Sequence, residues 1–144
     1  MFLRIPPLLF IYSLIFMYFT PVHYHFKLSP LIPFLFFVLG ILIAINSVSL
    51  FTKYKANISP LDLNSTTHLI DTGIYRYTRN PMYLSLLLIL IAYFFYLGNP
   101  LSIWGIFFYY FMTTKFQIKK EEKLLLKQFG NQYQAYMHRV RRWI

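Results

Sequence analysis

Hydrophobic positions in this chain fall into four long blocks separated by polar breaks. Residues 5–20 are almost wholly apolar after Arg4, with Pro6 and Pro7 where a first helical turn tolerates them. A loop spans 21–30. Residues 31–51 then supply about the twenty apolar positions a helix needs to cross a ~30 Å hydrocarbon core at ~1.5 Å per residue. The stretch 52–79 is polar and carries Lys53, Lys55, Asp62, Asp71, Arg76 and Arg79, so it belongs in water or against lipid headgroups. Two more apolar blocks, 81–97 and 101–115, are separated only by Gly98-Asn99-Pro100, a turn-forming cluster that reverses the chain at once. They predict a helical hairpin whose arms are short for a full crossing.

Beyond the hairpin the pattern becomes amphipathic. Residues 114–129, TKFQIKKEEKLLLKQF, are rich in helix formers, with Ile118, Leu125 and Phe129 on one side and lysines elsewhere, until Gly130 stops or bends the helix. A second short helix, 132–140, sets Tyr133, Tyr136 and Val140 at i, i+3 and i+7, and His138, Arg139 and Arg142 supply its polar face. The expected place for it is the anionic inner leaflet of a membrane.

Composition settles the solvent: 58% hydrophobic, 22% aromatic and only 12% charged residues are too apolar for a soluble chain of 144 residues. The expected class is an all-α integral membrane protein of about four transmembrane helices, including the C-terminal hairpin, with a cytoplasmic amphipathic tail helix. It reads as one membrane domain, 1–144: an N-terminal two-helix part, 1–51, then 52–144 with the polar loop, the hairpin and the tail. A signal peptide is the competing reading of the first block, but PVHYHF offers no small-residue cleavage site, so the helix is read as retained.

Charge orients the bundle. With four crossings, thirteen of the fourteen Lys and Arg residues share the side of the termini and the middle loop, and only Lys27 lies opposite. The positive-inside rule therefore puts both termini in the cytoplasm. The net charge of +10 is first a topology signal that attracts membrane lipids, and no nucleic acid partner is inferred from it. Absence of cysteine excludes disulfides and thiolate chemistry. His23 and His25 suggest a metal pair but have no third ligand nearby, so no metal site is expected.

The candidate chemistry lies at one end of the hairpin. YRYTRNPMY, residues 75–83, crowds two arginines, an asparagine and three tyrosines at the mouth of the first arm, and Glu121-Glu122, two of only four acids, begin the tail after the second. An anchor alone would need only a snorkelling cation and an aromatic. The bland reading of the glutamates is neutralisation by Lys119, Lys120 and Lys123 on a solvated face. Against it, the short turn makes the arms antiparallel neighbours, so both clusters meet at one face and form a pocket with cations, a carboxylate and aromatic walls.

The ordered set Gly73-Ile74-Tyr75, Arg79-Asn80-Pro81-Met82-Tyr83, Glu121-Glu122, Phe129-Gly130, Tyr133, Tyr136, Val140 and Arg142 resembles the isoprenylcysteine carboxyl methyltransferase family, with its bacterial and phospholipid methyltransferase relatives, over about half the chain from Thr67 onward. The resemblance implies S-adenosylmethionine in the cytoplasmic pocket and a lipophilic small-molecule or lipid acceptor entering sideways from the bilayer. It implies cofactor contacts by Thr67, His68, Leu69, Ile70, Tyr75 and Asn80, and makes Glu121 the carboxylate that takes the methionine ammonium. Asn80 stands where many members have histidine, and an amide cannot become cationic. Gln117 stands where members that methylate a carboxylate place arginine, which puts a carboxylate acceptor in doubt. Arg79 and Gln117 are candidate acceptor contacts. Arg76 and Arg79 read equally as pocket contacts or headgroup anchors. Methyl transfer from a sulfonium needs alignment in a dry site and no protein nucleophile, while a face of Tyr75 or Tyr83 could favour the cationic sulfur. The rival readings are a membrane sterol or steroid reductase using a reduced nicotinamide cofactor and a non-catalytic scaffold. The sequence leaves the acceptor and the oligomeric state open.

Overall fold

The computed structural model describes residues 5–22, 24–53 and 69–144. Among them every regular element is helical: α1 (Ile5–Phe19), α2 (Leu31–Lys53), a 3-10 turn (Gly73–Arg76), α3 (Pro81–Leu97), a short 3-10 turn (Pro100–Ser102), α4 (Ile103–Thr113), α5 (Lys119–Phe129) and α6 (Asn131–Arg139). A π turn (Thr114–Ile118) joins α4 to α5 without a break in helical backbone. α2 is long and apolar enough to cross a membrane, and Pro7–Phe19 and Pro81–Leu97 are shorter apolar helices.

α3 begins and ends where local chemistry dictates. Pro81 occupies its first turn, where a missing N–H costs nothing, and the Leu84 N–H closes on the Asn80 carbonyl at 3.0 Å. Gly98 ends it in the left-handed region, φ 61°, with its N–H on the Phe94 carbonyl at 3.1 Å. The Phe26 N–H donates to the Gly98 carbonyl at 2.8 Å, and a Cβ on Gly98 would collide with the Phe26 carbonyl oxygen. Asn99 then secures the turn: its Oδ1 accepts from the Leu101 N–H at 3.2 Å and its amide donates to the Thr20 carbonyl at 3.2 Å.

α3 is the central helix. α2 lies along one side of it, so close that a Cβ on Gly40 would come within 3.0 Å of the Ser85 carbonyl and of Ile89. α1 packs on α4 and α3 on the other side, burying Met17, Leu90 and Tyr109 together. The outward faces of α1 and α2 remain apolar and exposed, with Tyr12, Phe16 and Phe19 on α1 and Phe34, Leu42 and Ile45 on α2. Soluble monomers rarely show patches of that extent.

The tail differs from the expectation of a helix resting on a leaflet. Tyr133, Tyr136 and Val140 are buried against Leu69, Leu125 and Phe129, so the apolar face of α6 covers its own chain. Gly130, at φ 49°, makes the bend that folds α6 back. α6 runs one residue earlier than predicted, and Val140 is extended.

These two glycines give a test. Gly98 sits in the left-handed region, which costs an alanine roughly 1 kcal/mol, and faces a backbone oxygen, whereas Gly130 pairs its positive φ with ψ −124°, a backbone strain of its own, but nothing lies within 4 Å of a Cβ there. Gly98→Ala should lower the thermal midpoint of the detergent-purified protein well beyond Gly130→Ala. Equal shifts would mean that the contact between the turn and residue 26 carries no weight.

Candidate functional site

Glu121 and Glu122 are neighbours in sequence with opposite surroundings. The π turn widens the helix at Gln117, which is 2% exposed. Gln117 donates from Nε2 to Glu121 Oε1 at 2.7 Å, and the Tyr83 hydroxyl, from the first turn of α3, donates to the same oxygen at 2.5 Å. Both donors are neutral, and no ion pair among the described residues reaches Glu121. Burial holds its carboxyl above the usual range, partly offset by the Tyr83 and Gln117 hydrogen bonds. Gln117 Oε1 and Thr113 Oγ1, one turn back, are buried without a hydrogen-bond partner among the described residues.

Glu122 faces the other way and is fully committed. Its side chain is 10% exposed and accepts a two-point grip from Arg142, Nε to Oε1 at 2.9 Å and Nη2 to Oε2 at 2.7 Å. Arg79 Nη2 lies 3.1 Å from Oε1, with its own side chain 8% exposed. The hydrogen bonds to Glu122 raise the Arg142 pKa still further. Arg79 Nε and Nη1 are buried with no partner among the described residues.

The chain end straps the mouth of α3. The Arg79 N–H donates to the Arg141 carbonyl at 3.1 Å, and the Arg142 carbonyl accepts from the Asn80 amide at 2.8 Å and the Thr78 hydroxyl at 3.3 Å. Trp143 donates to Thr114 Oγ1 at 3.2 Å in the π turn, and its ring lies 5.0 Å from that of Tyr110. From α6, the Tyr136 hydroxyl donates to the Tyr75 carbonyl at 2.7 Å. Burial pushes the Tyr133 hydroxyl up to about 12 and also raises Tyr136 and Tyr75, so all three stay neutral.

The residues singled out from the sequence separate accordingly. Glu121 and Gln117 come together. Tyr75 is buried, with its hydroxyl 2.9 Å from Ser47 Oγ on α2 and its ring 5.8 Å from Phe51. Ile70 shares that cluster, and Leu69 packs on the α6 tyrosines. Asn80 holds the Arg142 carbonyl, Arg79 is paired with Glu122, and Arg76 is exposed. Thr67 and His68 lie outside the described residues, as does His23, and no group of three metal-ligating side chains occurs among the described residues.

Glu122 is not the solvated charge of the bland reading, because the π turn and α5 aim it at two arginines. Of the tail arginines expected at the inner leaflet, Arg142 instead grips Glu122, while Arg139 is exposed and pairs with Asp71 at 3.2 Å on the surface. Sequence reading missed the Tyr83 hydroxyl on Glu121 and the Arg79–Glu122–Arg142 cluster. A signal was present, since a carboxylate on the face of a cationic helix nearest the apolar positions needs a partner from elsewhere.

Removing one member of a buried ion cluster is worse than removing an exposed one. Glu122→Gln leaves the buried Arg79 guanidinium without its carboxylate and should cost roughly 3 kcal/mol, whereas Arg142→Gln leaves the Arg79–Glu122 pair intact and should cost about half that. Thermal melts of the two variants in detergent check the order. A larger loss from Arg142→Gln would put the stability in the strap instead of the buried pair.

Residues 28–132, most of the chain, match the phospholipid methyltransferase family. An uncharacterised protein of Haemophilus influenzae is 46% identical over 63 residues, 44% of this chain and the whole of that protein. No solved structure matches. The matched span takes in α2, α3, α4, the π turn and α5, and so holds Tyr83, Gln117 and both glutamates. The family is one of S-adenosylmethionine-dependent methyltransferases acting on lipid-type substrates and associated with membranes. With its helical hairpin and the glutamate pair at the hairpin's open end, the chain belongs to the phospholipid methyltransferase family, within the isoprenylcysteine carboxyl methyltransferase-like group.

Proposed function

We propose that this protein is an integral membrane enzyme with four crossings and cytoplasmic termini, and that it transfers a methyl group from S-adenosylmethionine to a lipophilic acceptor entering from the bilayer. The observation that carries this reading is Glu121: a half-buried carboxylate held by two neutral donors, both on Oε1, with no cation paired to it among the described residues. A fully structural buried carboxylate would have a charged partner, as Glu122 does.

The unfilled polar atoms fit the amino-acid end of the cofactor. Glu121 suits its ammonium, and the unpaired Nε and Nη1 of the buried Arg79, beside Glu122, suit its carboxylate. When bound, S-adenosylmethionine supplies an electrophilic methyl on a good leaving group. The protein's part is to orient and to exclude water: Tyr83 and Gln117 fix the rotamer of Glu121, the strap of residues 141–143 closes the mouth, and Tyr75 with Leu69 and Ile70 forms the wall on the α2 side. Thr67 and His68 belong to the same proposed cofactor set. A neutral Gln117 with an unpaired Oε1 suits an acceptor that brings N–H groups and lacks the charge to hold a carboxylate, which favours a lipid amine over a prenylcysteine carboxylate.

Titration calorimetry of the purified protein with S-adenosylhomocysteine tests the site. Glu121→Gln removes a charge-assisted bond and should weaken binding about ten- to a hundredfold, while a Glu122→Gln sample that remains folded should bind much more nearly as the parent does. The pH dependence has a definite sign. Because burial raises the free Glu121 pKa, lowering the pH through that value neutralises the carboxylate and weakens its hold on an ammonium, so affinity should rise with pH in the parent and lose that dependence in Glu121→Gln. Binding of a reduced nicotinamide dinucleotide in place of S-adenosylhomocysteine would overturn the methyltransferase reading.

Topology is tested separately. A reporter fused after Ile144 should be active only in the cytoplasm, as the thirteen-to-one split of basic residues requires. Activity solely on the far side would reverse the orientation.

A further inference from the structure

From the middle of α2 towards its Lys53 end, that helix and the 3-10 turn leave an open groove of about 420 Å³, within the size range of ligand sites. Leu42, Ile43 and Ile74 form its apolar wall, and Asn46, Arg76 and Tyr77 supply its polar groups. No acid lines it. Arg76 is exposed and makes no ion pair among the described residues, and Tyr77 is 73% exposed.

The groove continues an apolar track. Leu35, Leu39, Leu42 and Asn46 stand at i, i+4, i+7 and i+11, one face of α2, and all four are exposed. At ~1.5 Å per residue the track is about 16 Å long. It is apolar until Asn46 and then meets a guanidinium and a phenol. An apolar strip of that length ending on a cation that no acid among the described residues offsets is complementary to an amphiphile with an anionic head. A zwitterionic head would bring its own cation towards Arg76.

The groove is also separate from the proposed methyl-transfer site. None of its lining residues belongs to the Tyr83–Gln117–Glu121 set. Tyr75, between the groove residues Ile74 and Arg76 in the chain, buries its ring against Phe51 and Ser47 and is not part of the lining. Its carbonyl is held by Tyr136.

We propose that this groove holds an anionic phospholipid of the surrounding bilayer as a bound lipid that is not the methyl acceptor. One acyl chain lies along the α2 track, and the phosphate is held by Arg76 with Asn46 and Tyr77 as further donors. Bound there, the lipid braces one side of the 3-10 turn whose other side carries Tyr75. The inference rests on the membrane reading of α2 and is independent of which reaction the protein performs.

The test is native mass spectrometry of the full chain, purified in detergent and equilibrated with equal amounts of phosphatidylglycerol and phosphatidylcholine of matched chains. The parent should retain phosphatidylglycerol about tenfold over phosphatidylcholine. Arg76→Gln should abolish the preference, Arg76→Lys should keep most of it, and Lys123→Gln, on the exposed face of α5, should leave it unchanged. Ile43→Trp, which fills the apolar wall and leaves the guanidinium in place, should also abolish retention, and it decides the matter if Arg76→Gln proves unstable. Retention unaffected by Ile43→Trp would overturn the proposal, as would equal losses from Arg76→Gln and Lys123→Gln, or displacement by glycerol phosphate at the same concentration as lipid. Titration of Arg76→Gln with S-adenosylhomocysteine separates the two readings: parent-like binding with lost lipid preference supports the lipid site whatever the acceptor is, and parent-like lipid preference refutes it whether or not the cofactor binds.

Discussion

A carboxylate removed from water must be met by opposite charge, and Glu122 is met twice. Arg79 comes from the segment that opens α3 and Arg142 from the end of the chain, so one buried anion joins the hairpin's two arms to the strap. The geometry follows from that constraint. Arg142 cannot reach Glu122 unless α6 folds back at Gly130, and once it does, the Arg141 and Arg142 carbonyls fall on the Arg79 N–H and the Asn80 amide. The burial of Tyr133 and Tyr136 supplies the apolar area that holds α6 in place.

The same pin gives the second glutamate its freedom. Successive residues on a helix point about 100° apart, so with Glu122 aimed at the arginines, Glu121 is turned to Tyr83 and Gln117. One carboxylate is neutralised and structural. The other is half-buried beside neutral donors, with its pKa raised, which suits a group waiting for a cation. The basic tail thus has two jobs: Arg142 is consumed by a buried acid, while the lysines remain on the outer face of α5.

Away from this polar end the molecule presents apolar surface. α1 and α2 expose large aliphatic and aromatic side chains along their outer faces, while α3 is enclosed between α2 and the α1/α4 pair. Polar chemistry is therefore confined to one end of a bundle that is apolar on its sides.

What the sequence determined by itself was local. Pro81 and Gly98 bound α3 because a proline is tolerated in a first turn and a glycine at a left-handed end, and Asn99 makes the turn that sets the arms side by side. The apolar run of α2 and the bend at Gly130 were legible for the same reason: each depends on residues within a few positions of one another. Only the tertiary structure decided which side chains meet across the arms. Tyr83 and Glu121 are 38 residues apart, and Asn80 and Arg142 are 62 apart. The π turn at Thr114–Ile118 adds a residue to the helical repeat and so rotates everything after it by about 100° relative to α4. No count of threes and fours along the chain anticipates that rotation. It is what places Glu121 toward Tyr83 and sends Glu122 to the arginines.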